Sequence, residues 1–150
     1  MLNDPRMTNS TFIEGFSADG SLHYAPYSED ARVSHAHGWS TGPTSLLSFY
    51  VAGIHITSAS GKTWVIAPQL GDLTEIEAGY TTSLGAFSCK VTGQNGIVTG
   101  LSFVTPAGTT GQVWLPGIQG KLVSSRGTSV VLVNGDASGL NGGSWTLVIG

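Results

Sequence analysis

The rhythm of apolar and polar positions changes at Gly53. Before it, Leu46, Leu47, Tyr50 and Val51 recur at helical spacing. Thr41-Gly42-Pro43-Thr44 reads as the start, because proline at the first helical position has a suitable φ and gives up only an N–H that would lack a partner inside the helix. Gly53 is the stop, and the pattern predicts one short amphipathic helix over about 43–52. After Gly53 the period becomes alternating. Runs at Ile54–Thr57, Thr63–Ile66, Ala86–Val91, Ile97–Val104, Gln112–Leu115, Ser129–Val133 and Trp145–Ile149 read as strands. Ser60-Gly61, Gln94-Asn95-Gly96, Pro106-Ala107-Gly108, Asn134-Gly135-Asp136 and Asn141-Gly142-Gly143 can supply the positive φ that tight turns need. Seven short strands in this arrangement predict an antiparallel β-sandwich. Residues 7–33 keep neither period and read as loops.

Composition sharpens this division. The 22 glycines among 150 residues are about twice the usual share of ~7%, and only 10% of residues are charged, which fits a turn-rich β chain. Charge is uneven: residues 1–38 hold seven of the fifteen charged side chains and three of the four histidines. Chemistry is therefore expected in the first part and scaffold in the second. A net charge of −3 with six Lys and Arg residues and no basic cluster argues against nucleic acid and against an anionic membrane surface. No apolar stretch reaches membrane-spanning length, and Met1–Arg6 lacks the features of a signal peptide. Cys89 is the single cysteine, so no intrachain disulfide forms and the residue reads as a small buried hydrophobe in a strand. Asn9-Ser10-Thr11 is a glycosylation sequon, relevant only to a secreted protein.

Candidate chemistry gathers in Ser34-His35-Ala36-His37-Gly38-Trp39-Ser40-Thr41-Gly42-Pro43, twenty residues after Glu14. Two histidines two residues apart can face one cleft only from irregular or extended backbone, and Trp39 adds a flat apolar face with one N–H donor, a surface suited to a sugar. Glu14 lies within Thr11-Phe12-Ile13-Glu14-Gly15-Phe16, where apolar neighbours are expected to desolvate the carboxylate and raise its pKa toward the range useful for a general base. Taken without any relative, it reads first as a surface residue at the end of a helix or strand. His35 and His37 suit a metal, with no third ligand indicated, or read as one buried, hydrogen-bonded histidine beside an exposed one. Trp39 is either a platform or packing at the helix start. Among the other carboxylates, Asp4, Asp19, Glu29, Asp30, Asp72, Glu75, Glu77 and Asp136 sit in no acid motif: Asp19-Gly20 reads as a turn, Glu29-Asp30 beside Arg32 as a solvated loop and Asp136 as a hairpin residue. Trp64, Trp114 and Trp145 read as strand packing, and His23, Tyr24 and Tyr27 as candidates for the leaving-group side of a cleft.

The segment Ser34–Thr44, with Phe12-Ile13-Glu14 before it and Lys62-Thr63-Trp64-Val65-Ile66-Ala67-Pro68 after it, resembles the C-terminal end of α-L-rhamnosidases of glycoside hydrolase family 78. The resemblance implies a mainly β chain in which residues 1–53 are the last helix and loops of a catalytic (α/α)6 barrel and residues 54–150 are the β-sandwich that follows it. It further implies inverting hydrolysis of α-L-rhamnosyl groups without a cofactor, with Glu14 as the base and His37 and then His35 on the sugar hydroxyls; Trp39 is a candidate substrate contact beside them. Inversion needs an acid as well, with the two carboxyl groups about 6.5–9.5 Å apart. In the family that acid lies on an earlier barrel segment, to which nothing in this chain corresponds. The implied partners are a rhamnosylated glycoside and the upstream barrel segment, and the implied location is extracellular. A non-catalytic module, binding carbohydrate through the sandwich or only buttressing, is the alternative; two tryptophans on one exposed sheet face would favour it.

Overall fold

The computed structural model describes residues 5–6, 11–23, 27 and 33–150. They fall in two compact units that divide between Ser45 and Leu46. Asp4, Asn9, Tyr24, Glu29 and Asp30, considered above, lie outside the described residues.

The helical pattern is realised as three short pieces in succession: a 3₁₀ turn over Gly38–Thr41, an α-helical turn α1 over Gly42–Leu46 and a π-type turn over Leu47–Val51. Thr41 and Ser45 turn their hydroxyls back onto the carbonyls of Gly38 and Gly42, which competes with regular helix bonding. Gly53 ends the segment at φ +73, and a Cβ there would stand 2.2 Å from the Ala67 carbonyl carbon, so only glycine fits.

Within the second unit, Leu46–Gly150, the strands between Ile54 and Ile149 form a two-sheet sandwich. One sheet holds β1 (Ile54–Ile56), β2 (Thr63–Ile66), β6 (Thr110–Trp114) and β9 (Asp136–Asn141), in the order β1-β2-β6-β9. The other holds β3 (Glu75–Thr82), β4 (Gly85–Gln94), β5 (Ile97–Val104), β7 (Gly120–Ser124), β8 (Ser129–Val131) and β10 (Ser144–Ile149), in the order β3-β4-β5-β10-β7-β8. All pairings are antiparallel except β2 with β6. Between these two the chain leaves the sheet to build β3, β4 and β5 opposite, and it returns in the same direction as it left.

Ten strands replace the seven read from alternation. The additional ones, β3, β7 and β9, are poor in large apolar residues. In β3, Glu75 and Glu77 occupy the solvent face and Ile76, Ala78 and Tyr80 the half-buried one, as suits an edge strand that must not recruit another chain. Gly120 and Gly139 adopt φ values outside the strand range in β7 and β9. The expected turns are present: Asn95 at φ 51 with Gly96 at 77 closes β4 to β5, and Asn134 at 54 with Gly135 at 80 leads into Asp136, whose backbone exchanges both hydrogen bonds with Val133.

Alternate residues of both sheets make the core. Phe87, Cys89 and Val91 of β4 meet Leu101 and Phe103 of β5, Trp64 and Ile66 of β2 and Trp145 and Leu147 of β10. Trp64 packs edge-on against Phe103 at 5.6 Å and donates its indole N–H to the Thr109 hydroxyl at 2.9 Å, which in turn donates to the Pro106 carbonyl. Trp145 donates to the Asn141 carbonyl at 2.9 Å. Both indoles are buried and satisfied, so of the three sandwich tryptophans only Trp114 is exposed, and no two of them share an open sheet face. Cys89 is buried as expected, and burial pushes its thiol up to about 12.

Candidate functional site

The first unit is held by a few backbone bonds between two irregular stretches. Glu14 N–H donates to the Ser34 carbonyl at 2.8 Å, and His37 N–H donates to the Phe12 carbonyl at 2.9 Å. The Thr11 hydroxyl donates to the His35 carbonyl. Residues 11–14 therefore run beside residues 34–37. Beneath them Ile13 and Val33 are buried together, with Leu22 and Tyr27 packed against them.

This pairing turns Glu14 inward. Its side chain is 2% exposed, and every donor around the carboxylate comes from far along the chain. The Tyr27 hydroxyl donates to Oε1, Ser34 N–H donates to Oε2 at 3.1 Å, and His37 Nδ1 stands 3.6 Å from Oε2. The main chain of Glu14 is held too, its carbonyl accepting the Trp39 indole N–H at 3.1 Å and the Ser40 hydroxyl at 3.4 Å. The His37 and Trp39 rings lie 4.5 Å apart, tilted by 44°. Trp39 is 68% exposed, with its ring beside that of His37.

One expectation is reversed. Apolar neighbours were expected to raise the Glu14 pKa, and burial does push that way. The Tyr27 hydroxyl, the Ser34 amide and His37 together outweigh it and hold the carboxyl below its ordinary range. Sequence neighbours desolvate a group, but only tertiary neighbours solvate it again.

The remaining candidates separate from this cluster. The His35 side chain is exposed, and only its carbonyl enters the pairing. Asp19 is the expected turn residue: its carboxylate accepts the Ser21 amide at 2.9 Å, which lowers its pKa, and Gly20 follows at φ 81. His23 is exposed and its carbonyl accepts the Ser17 hydroxyl. Tyr27 and the Ser34 amide are the partners that sequence reasoning missed in their role on Glu14; the separations of 13 and 20 residues follow no period that would reveal them. Among the described residues, no three His, Cys, Asp or Glu side chains come together. An open cavity of about 600 Å³ lies elsewhere, by Gly117, Gly120, Val131 and Asn134, and its lining has neither titratable nor aromatic side chains.

The family model of the bacterial alpha-L-rhamnosidase C-terminal domain matches residues 53–129. The chain is also similar to two solved structures. The α-L-rhamnosidase of Streptomyces avermitilis, complexed with L-rhamnose, has a TM-score of 0.64 and 23% identity, over 89% of this chain. The α-L-rhamnosidase of Dictyoglumus thermophilum has a TM-score of 0.61 and 15% identity, over 78% of this chain. At these identities the likeness is one of fold. The chain spans 13% and 14% of the two enzymes' own lengths. No curated protein matches it.

Proposed function

The chain belongs to the bacterial α-L-rhamnosidase C-terminal domain family, and from that premise we propose that it is the C-terminal portion of an inverting α-L-rhamnosidase acting on terminal α-L-rhamnosyl groups of glycosides. The observation that carries the proposal is the convergence of Glu14, His37 and Trp39. A general base must be ionised before it acts, and the donors around Glu14 favour that state. His37 and the exposed Trp39 stand beside it as the polar and apolar contacts a sugar ring needs, with the exposed His35 two residues before His37.

In this mechanism Glu14 takes a proton from water as the water oxygen bonds to the anomeric carbon. The glycosidic bond breaks on the opposite face, and its oxygen is protonated by an acid. Among the described residues no second carboxylate joins Glu14, and Asp19 is committed to its turn. The acid is assigned to an upstream barrel segment, and activity is assigned to the protein that combines that segment with this one. Export of that protein to the cell exterior is part of the same reading.

The test compares the 150 residues with a version extended upstream, on an aryl α-L-rhamnoside. Turnover is expected only from the extended protein, and Glu14→Gln should lower its kcat by about 100-fold or more, since it removes the proton acceptor and little shape. His37→Ala should raise KM more than it lowers kcat. Strong turnover by the short chain, or a fully active Glu14→Gln, would overturn the assignment.

A further inference from the structure

Glu14 is held at both ends, and the two ends are held differently. Its peptide group is fixed by Ser34, Trp39 and Ser40, all from the stretch that carries His37. The carboxylate receives a donor from that stretch on one oxygen only. An ionised carboxylate offers about four lone-pair positions. Oε2 spends one on the Ser34 amide and turns the other toward His37 Nδ1. Oε1 spends one on the Tyr27 hydroxyl, which among the described residues leaves a single position open.

We propose that Tyr27 is the positioning residue of this site: its hydroxyl fixes Oε1 of Glu14 so that the remaining lone pair of that oxygen is where a water or a sugar hydroxyl is accepted. The catalytic part rests on the reading of Glu14 as the base; the hold of Tyr27 on Glu14 does not. Without the hydroxyl, Oε1 would lose its donor among the described residues, and only the contacts to Oε2 would resist turning of the carboxylate about its last torsion. The groups that face the carboxylate among the described residues are Tyr27, the neutral Ser34 amide and His37.

Two readouts separate the parts. In the 150-residue chain, the Glu14 side-chain carbon is followed by ¹³C NMR through an acid titration. Tyr27→Phe should move the Glu14 midpoint up toward the ordinary carboxyl range, and an unmoved midpoint would overturn the positioning role whatever the enzyme does. In the upstream-extended protein, Tyr27→Phe should lower kcat about tenfold with little change in KM, and should shift the acid limb of kcat/KM to higher pH. A purely structural tyrosine would leave that limb in place, which would also overturn the proposal. A shifted NMR midpoint together with a fully active Glu14→Gln would overturn the base reading alone. Should Tyr27→Phe fail to fold, fluorotyrosine at position 27 serves instead: its ¹⁹F signal should carry a step at the Glu14 midpoint that Glu14→Gln abolishes, and a signal without that step would refute the contact.

Discussion

The two units are stabilised by different means. Among the described residues, the sandwich core gathers nineteen buried apolar side chains, while the first unit gathers two, Ile13 and Val33. Each fully buried large side chain is worth roughly 1.5–3 kcal/mol, so the sandwich rests on burial. The first unit instead collects polar contacts around one carboxylate, and a typical hydrogen bond has a net value of only about 1 kcal/mol. Such a unit holds a precise arrangement with little reserve. The residues suited to chemistry therefore sit where stability is lowest, and the sandwich carries almost none of them.

The contrast is sharpest for cavity-forming changes. Trp64→Ala empties a site in the middle of the sandwich, separates Phe103 from its ring partner and removes the donor to Thr109. It should cost about 3–5 kcal/mol, read as a lower denaturation midpoint and as lost hydrogen-exchange protection across β4 and β5. Ile13→Ala should cost about 2 kcal/mol, at the low end for its type because among the described residues only Val33 shares its burial, and the loss should show at the Glu14 and His37 amides. A larger cost at Ile13 than at Trp64 would break the comparison.

Acid and alkali should then act on different units. The folded Glu14 pKa is lowered, so its stabilisation is present above the ordinary carboxyl value and is lost as pH falls through the folded value. Acid should expose the Glu14 and His37 amides first, and Glu14→Gln should blunt that dependence. The Cys89 thiol is raised from its ordinary value near 9.0 to about 12, so its stabilisation is present below the former and is lost as pH rises toward the latter. Alkali should therefore loosen the sandwich, and Cys89→Val should remove that part of the alkaline loss. Exchange measured at pH 4 and pH 10 tests both signs at once.

The same division governs what could be read from the amino-acid order. Alternation found β4 and β5 because Phe87, Cys89 and Val91, and Leu101 and Phe103, are buried in a mainly apolar core. It passed over β3, β7 and β9, where one face is charged, the apolar residues are few, or glycine departs from strand geometry. In the first unit, periodicity was silent. Glu14, His37 and Trp39 were visible as residue types in a motif, but Tyr27 and the sign of the Glu14 pKa depend on which distant groups arrive at the carboxylate. Burial leaves a periodic trace in sequence, whereas a polar cluster joined across loops leaves none.

The smallest effect is expected at the one ion-paired surface of the sandwich among the described residues. Lys90 Nζ lies 2.8 Å from Glu75 and 4.0 Å from Glu77, across the β3–β4 pair, and Glu75 raises its pKa. All three side chains are at least half exposed, so water and salt screen the attraction and the long side chains lose freedom in forming it. Lys90→Met should leave the melting temperature unchanged within error, and added salt should not separate the variant from the parent. No consequence is expected at the sheet edge either: β3 is an edge strand, and its charges discourage a second chain from pairing there. Lys90→Met leaves Glu75 and Glu77 in place, so the edge stays charged and light scattering at high concentration should not change. A drop in melting temperature approaching that of Trp64→Ala would mean that the sandwich depends on surface charge after all, and the division between a unit built on burial and a unit built on polar contacts would fail.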